Sequence, residues 1–165
     1  MDSNLLGKYL IFFAKFDYAI ARYGFFKKGR KINNQENIKT IDSDWDAFAD
    51  KLSAEFYEEI KKNEKFAEIF KEGGPKIWAA VEGQSARFHS DISIKDTKTL
   101  IYACKHIRNN LIHGEKFQND KADIERNYAL LRCAREILII AMKRIKDPKG
   151  FTVFSHFEDI PISDS

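Results

Sequence analysis

A chain of 165 residues with a formal net charge of +3 has room for one domain with one core, and a charge this small does not by itself argue for nucleic acid. Hydrophobic residues make up 44% and charged residues 32%, an ordinary globular balance, and 14 Phe promise a core with much apolar area per residue. With 3 Pro and 8 Gly the chain is rarely interrupted, which favours a few long helices over many short strands.

The first helix is predicted from about Asn4 to Lys27. Leu6, Leu10, Phe13 and Ile20 form one stripe, and Leu5, Phe12, Phe16 and Tyr23 form a second beside it, so this helix needs neighbours on more than one side. Lys8, Lys15, Asp17 and Arg22 interrupt its apolar run, which argues against a membrane span. Met1 to Lys8 lack the pattern of a signal peptide, and a soluble cytoplasmic protein is expected. Gly29 to Thr40 is polar and reads as a loop, and the basic run Lys27, Lys28, Arg30 and Lys31 spans the end of the first helix and the start of this loop. Ser43 is the expected N-cap of a second helix, which carries Trp45, Phe48, Leu52, Phe56 and Ile60 to about Asn63.

A short helix through Phe66, Ile69 and Phe70 should stop at Gly73, Gly74 and Pro75. Pro75 to Asp96 reads as a packed connection with some helix, around Trp78 and Phe88. A further helix is predicted from Thr97 to His113, with Gly114 as its stop, and a long one from about Asp120 to Lys146. A second basic cluster, Lys143, Arg144, Lys146 and Lys149, closes the long helix, where cations suit the macrodipole. The tail holds Phe151, Val153, Phe154 and Phe157 and is expected to dock. Cys104 and Cys133 match no metal or redox spacing and are expected as buried free thiols. The expected fold class is all-α: one domain over residues 1–165, a bundle of about four to five main helices.

The segment His106-Ile107-Arg108-Asn109-Asn110-Leu111-Ile112-His113-Gly114-Glu115-Lys116 carries the chemistry. On a helix turning roughly 100° per residue, Leu100, Ala103, Cys104, Ile107 and Leu111 share the core face. Tyr102, His106, Asn109 and His113 share the opposite face, and Arg108 lies at its flank. Arg108 and His113 diverge on one helix, so two copies related by a two-fold axis would bring them to a shared cleft. These residue types suit RNA cleavage. Imidazole exchanges protons near neutral pH, and Arg offers a fixed charge and a planar fork to phosphate. The 2′-OH of RNA is the nucleophile, so neither a metal nor a cofactor is required. On spacing alone a structural role comes first: Arg108 paired with a carboxylate such as Glu125, and His113 as a helix C-terminal residue favoured by the dipole.

The string Arg108-Asn109-Asn110-Leu111-Ile112-His113-Gly114-Glu115-Lys116 resembles the Arg-x4–6-His motif of HEPN domains. Phe12-Phe13-Ala14-Lys15-Phe16-Asp17-Tyr18-Ala19 and Ser43-Asp44-Trp45-Asp46-Ala47-Phe48-Ala49 are similar to segments of small stand-alone bacterial HEPN proteins of plasmids and mobile elements. The resemblance implies a HEPN helical bundle, a homodimer through the motif helices and a metal-independent endoribonuclease, used as a toxin or a phage-defence effector. It implies Arg108, Asn109 and His113 as catalytic residues. Tyr102, His106, Asn110, Lys116, Lys27, Lys28, Arg30 and Lys31 are then the candidates for contacting RNA. Members paired with a nucleotidyltransferase commonly carry a Tyr two residues after the His, where this chain has Glu115. An antitoxin or regulatory protein is an expected partner. The alternative is a non-catalytic HEPN module that binds RNA, a nucleotide or a protein.

Overall fold

The computed structural model describes residues 3–31, 39–71, 75–79, 87–113, 121–147, 149–150 and 152–158. Helix α1 runs Ser3–Tyr23 and buries Tyr9, Phe12, Phe13, Phe16, Ala19 and Ile20. It stops four residues short of the expected Lys27. Gly24 has φ +117°, its N–H reaches the Ala21 carbonyl at 3.1 Å, and the Phe25 N–H reaches Ile20 at 2.9 Å. This is a Schellman ending, in which a left-handed glycine lets two late carbonyls find partners. The chain then turns into strand β1, Phe26–Lys31, paired antiparallel with β2, Lys39–Ser43.

The expected single helix after Ser43 is two. Helix α2, Trp45–Ala49, is capped by Asp44, whose Oδ1 accepts from the Ala47 N–H at 3.1 Å. Ser43, expected as the cap, instead donates its hydroxyl to the Asp17 carbonyl at 2.9 Å. The helical path breaks where Ser53 turns extended, and the Ser53 carbonyl accepts from Thr97 Oγ1 at 2.9 Å. Helix α3, Ala54–Lys62, follows and buries Phe56, Tyr57 and Ile60. A 3-10 turn at Glu64–Phe66 leads into α4, Ala67–Phe70.

Strands β3, Lys76–Ala79, and β4, Arg87–Asp91, form a second antiparallel hairpin where a partly helical connection was expected. Helix α5, Thr97–His113, has the expected bounds. Asp96 caps it, accepting from the Thr99 N–H at 2.7 Å, while Thr99 Oγ1 accepts from the N–H of Asp96 at 3.0 Å. Helix α6, Lys121–Arg144, is the longest. After Gly150 (φ +85°), α7, Val153–Glu158, folds back on α1 and α6. Phe157 rests against Phe12 with ring centroids 5.4 Å apart, so the tail docks through this helix; Phe151 lies outside the described residues.

The molecule is therefore mostly helical, with two small hairpins that correct the expectation of an all-α chain. One core joins α1, α2, α3, α5 and α6. Phe16, fully buried, meets Trp45 at 4.7 Å and Phe48 at 5.3 Å between ring centroids. Cys104 and Cys133 are free and buried, and burial pushes both thiols up from the ordinary thiol range. Among the described residues no helix is long and apolar enough to cross a membrane.

Candidate functional site

Helix α5 turns Leu100, Ala103, Cys104 and Ile107 into the core, as its periodicity requires. Tyr102 on the opposite side is exposed, and its ring leans on the half-buried His106 ring with centroids 4.3 Å apart. Burial, and secondarily Lys105, hold the His106 imidazole below its ordinary value of 6.5. Its Nδ1 is enclosed and has no hydrogen-bond partner among the described residues.

Arg108 lies at the flank of this surface, directed at α1. Its Nη2 forms an ion pair with Asp17 Oδ2, and its Nη1 donates to Asn109 Oδ1 at 2.9 Å. The side chains of Arg108 and Asp17 are 27% and 19% exposed, so the pair sits at the boundary between core and water. Asp17 Oδ1 accepts from Trp45 Nε1 at 2.9 Å. The carboxylate thus bridges the indole of α2 and the guanidinium of α5. Glu125, the carboxylate expected opposite Arg108, is exposed on α6 and is not the partner seen. Asp17 was missed as a site residue, although it is the sole acid of α1, set among buried aromatics. That oddity is a sequence signal for a buried cationic partner.

Asn110 corrects an expectation. It is 5% exposed and donates Nδ2 to the Lys76 carbonyl at 2.8 Å, tying α5 to β3, so it does not face an RNA chain. His113 is the last residue of α5. From Arg108 to His113 an ideal helix advances about 7.5 Å and turns about 140° beyond a full circle. The side chain of His113, and Glu115 and Lys116 entirely, lie outside the described residues.

The basic runs are only partly available to a ligand. Lys27 is bound to Asp44 at 3.3 Å and Asp46 at 3.2 Å, and hydrogen bonds to these two carboxylates raise its ammonium above the usual lysine value. Lys28 is exposed, whereas the side chains of Arg30 and Lys31 lie outside the described residues. In the second cluster Arg144 pairs with Glu59, and Lys143 Nζ sits 4.4 Å from the centroid of the Phe154 ring. Lys143, Arg144 and Lys146 still line one cleft of about 500 Å³ with Lys51 and Ser53.

Arg108 and Asn109 are joined by the hydrogen bond between their side chains. The described contacts use one N–H on each terminal nitrogen of Arg108, and a guanidinium has further donors to offer. Among the described residues no group of His, Cys, Asp and Glu is arranged to hold a metal ion. Comparison of the chain with family models, with curated proteins and with solved structures yields no match.

Proposed function

We propose that this chain is a metal-independent endoribonuclease of the HEPN type, working as a cytoplasmic homodimer in which Arg108, Asn109 and His113 of each copy face a shared cleft. The observation that supports this reading is the Arg108 guanidinium, half-buried and oriented by Asp17 and Asn109 on the helix that ends in His113. A pre-oriented guanidinium is suited to the charge that grows on a phosphate in the transition state.

In the reaction the 2′-oxygen of RNA attacks the adjacent phosphorus and the bond from phosphorus to the 5′-oxygen breaks. One imidazole takes the 2′-OH proton, and the second gives a proton to the leaving 5′-oxygen. The products are a 2′,3′-cyclic phosphate and a 5′-hydroxyl. The substrate brings its own nucleophile, so DNA is not cut. A protein of this kind serves as a toxin or an antiviral effector, restrained by an antitoxin or a regulatory partner.

The test is incubation of purified protein with single-stranded RNA in EDTA. Cleavage is expected, and His113→Ala should lower it by roughly 100-fold or more with an unchanged melting temperature. Intact RNA after long incubation with folded wild-type protein would refute the reading. A second reading, a non-catalytic module that binds RNA, a nucleotide or a protein, draws on the same ion pair, because Asp17 already matches the charge of Arg108.

A further inference from the structure

The Arg108 site has a counter-ion from the other end of the chain. Asp17 lies 91 positions before Arg108 and is held at three points. Its carbonyl accepts from Ser43 Oγ at 2.9 Å, its Oδ1 accepts from Trp45 Nε1 at 2.9 Å, and its Oδ2 pairs with Arg108. Trp45 is itself buried against Phe16, so its indole ties the carboxylate at the core's edge to the core. A carboxylate fixed in this way does two things to the guanidinium. It restricts the arginine to one orientation, which removes rotamer freedom before any ligand arrives. It also cancels part of the positive charge that an incoming anion would meet.

We infer that Asp17 is the positioning residue of the Arg108 site: it fixes the guanidinium for a phosphodiester and, by its own charge, holds down the affinity of the site for phosphate. The inference rests on the phosphodiester reading above and adds the regulation of that site. Phosphate and carboxylate bind different N–H groups of the same guanidinium, so the substrate does not need to evict Asp17. Orientation and affinity are therefore in opposition, and this opposition can be measured.

The experiment compares wild type, Asp17→Asn and Asp17→Glu. Asn keeps the size of the side chain and an oxygen for Trp45 but removes the charge. Glu keeps the charge and displaces it. The binding probe is a single-stranded 2′-O-methyl RNA, which has no free 2′-OH to attack. The cleavage probe is the matching RNA in EDTA. Asp17→Asn should bind the 2′-O-methyl RNA roughly 5-fold more tightly, since one partly screened charge is removed. It should cleave roughly 10- to 100-fold more slowly, because the guanidinium loses its fixed aim. Asp17→Glu should bind within about 2-fold of wild type and also cleave slowly.

A purely structural Asp17 would weaken binding and cleavage together and lower the melting temperature, which would overturn the inference. Equal binding by wild type and Asp17→Asn, including no binding by either, would overturn it too. Should Asp17→Asn fail to fold, Asp17→Glu decides alone: wild-type cleavage with a displaced carboxylate contradicts a positioning role. Absence of cleavage by the wild type defeats the ribonuclease reading, while the binding comparison still decides whether Asp17 restrains Arg108.

Discussion

Partial burial, and secondarily the neighbouring Lys105 charge, lower the pKa of the His106 imidazole. In the unfolded chain it titrates near its ordinary value of 6.5, and in the folded chain below it. Between those two values the unfolded state binds more protons, so the stability contributed by this group is present above pH 6.5 and is lost as the pH falls through the lower, folded value. Urea unfolding at pH 7 and pH 5 should show wild type losing more stability on acidification than His106→Gln. Parallel losses would mean that this imidazole does not titrate differently on folding. At this scale Arg108, Asn109 and Tyr102 were legible, because a helix places them by arithmetic. Asn110 was misread even so: it follows Ile107 by three and Ala103 by seven, which puts it beside the core face. Asp17 was not legible as a partner, since nothing local links residues 91 apart.

Elements end where backbone groups find partners, and the short ends were harder to read than the long middles. Helices α5 and α6 followed from apolar periodicity, with bounds within a few residues of those expected. The Schellman ending at Gly24 was missed because the apolar pattern runs past it into Phe25 and Phe26. The β1–β2 hairpin was missed because its strands are polar and basic and lack a clear alternation. Gly29 supports that hairpin by its lack of a side chain, since a Cβ there would collide with the Thr40 hydroxyl. Asp44, which caps α2 and receives Lys27, holds the junction between hairpin and helix. Asp44→Ala should cost about 1 kcal/mol in a urea or thermal unfolding curve, the usual value of an N-cap. An unchanged curve would show that the Lys27 pair and the Ala47 hydrogen bond add nothing to α2.

On the scale of the whole molecule, a Phe-rich core fixes α5 against α1 and leaves the Arg108 flank at the edge of solvent. Composition foretold that core, and the predominance of helix with it, but not the hairpins that break the all-α expectation. On the proposed ribonuclease reading, proton removal and proton donation at one phosphate draw on one imidazole from each of two copies. The chemistry of the cut ends reports on this arrangement directly. RNA incubated with the protein in EDTA should yield fragments ending in a 2′,3′-cyclic phosphate, opposite fragments beginning with a 5′-hydroxyl, as read by mass spectrometry. Fragments with a 3′-hydroxyl and a 5′-phosphate, or cleavage that persists in Arg108→Ala and His113→Ala, would contradict the account.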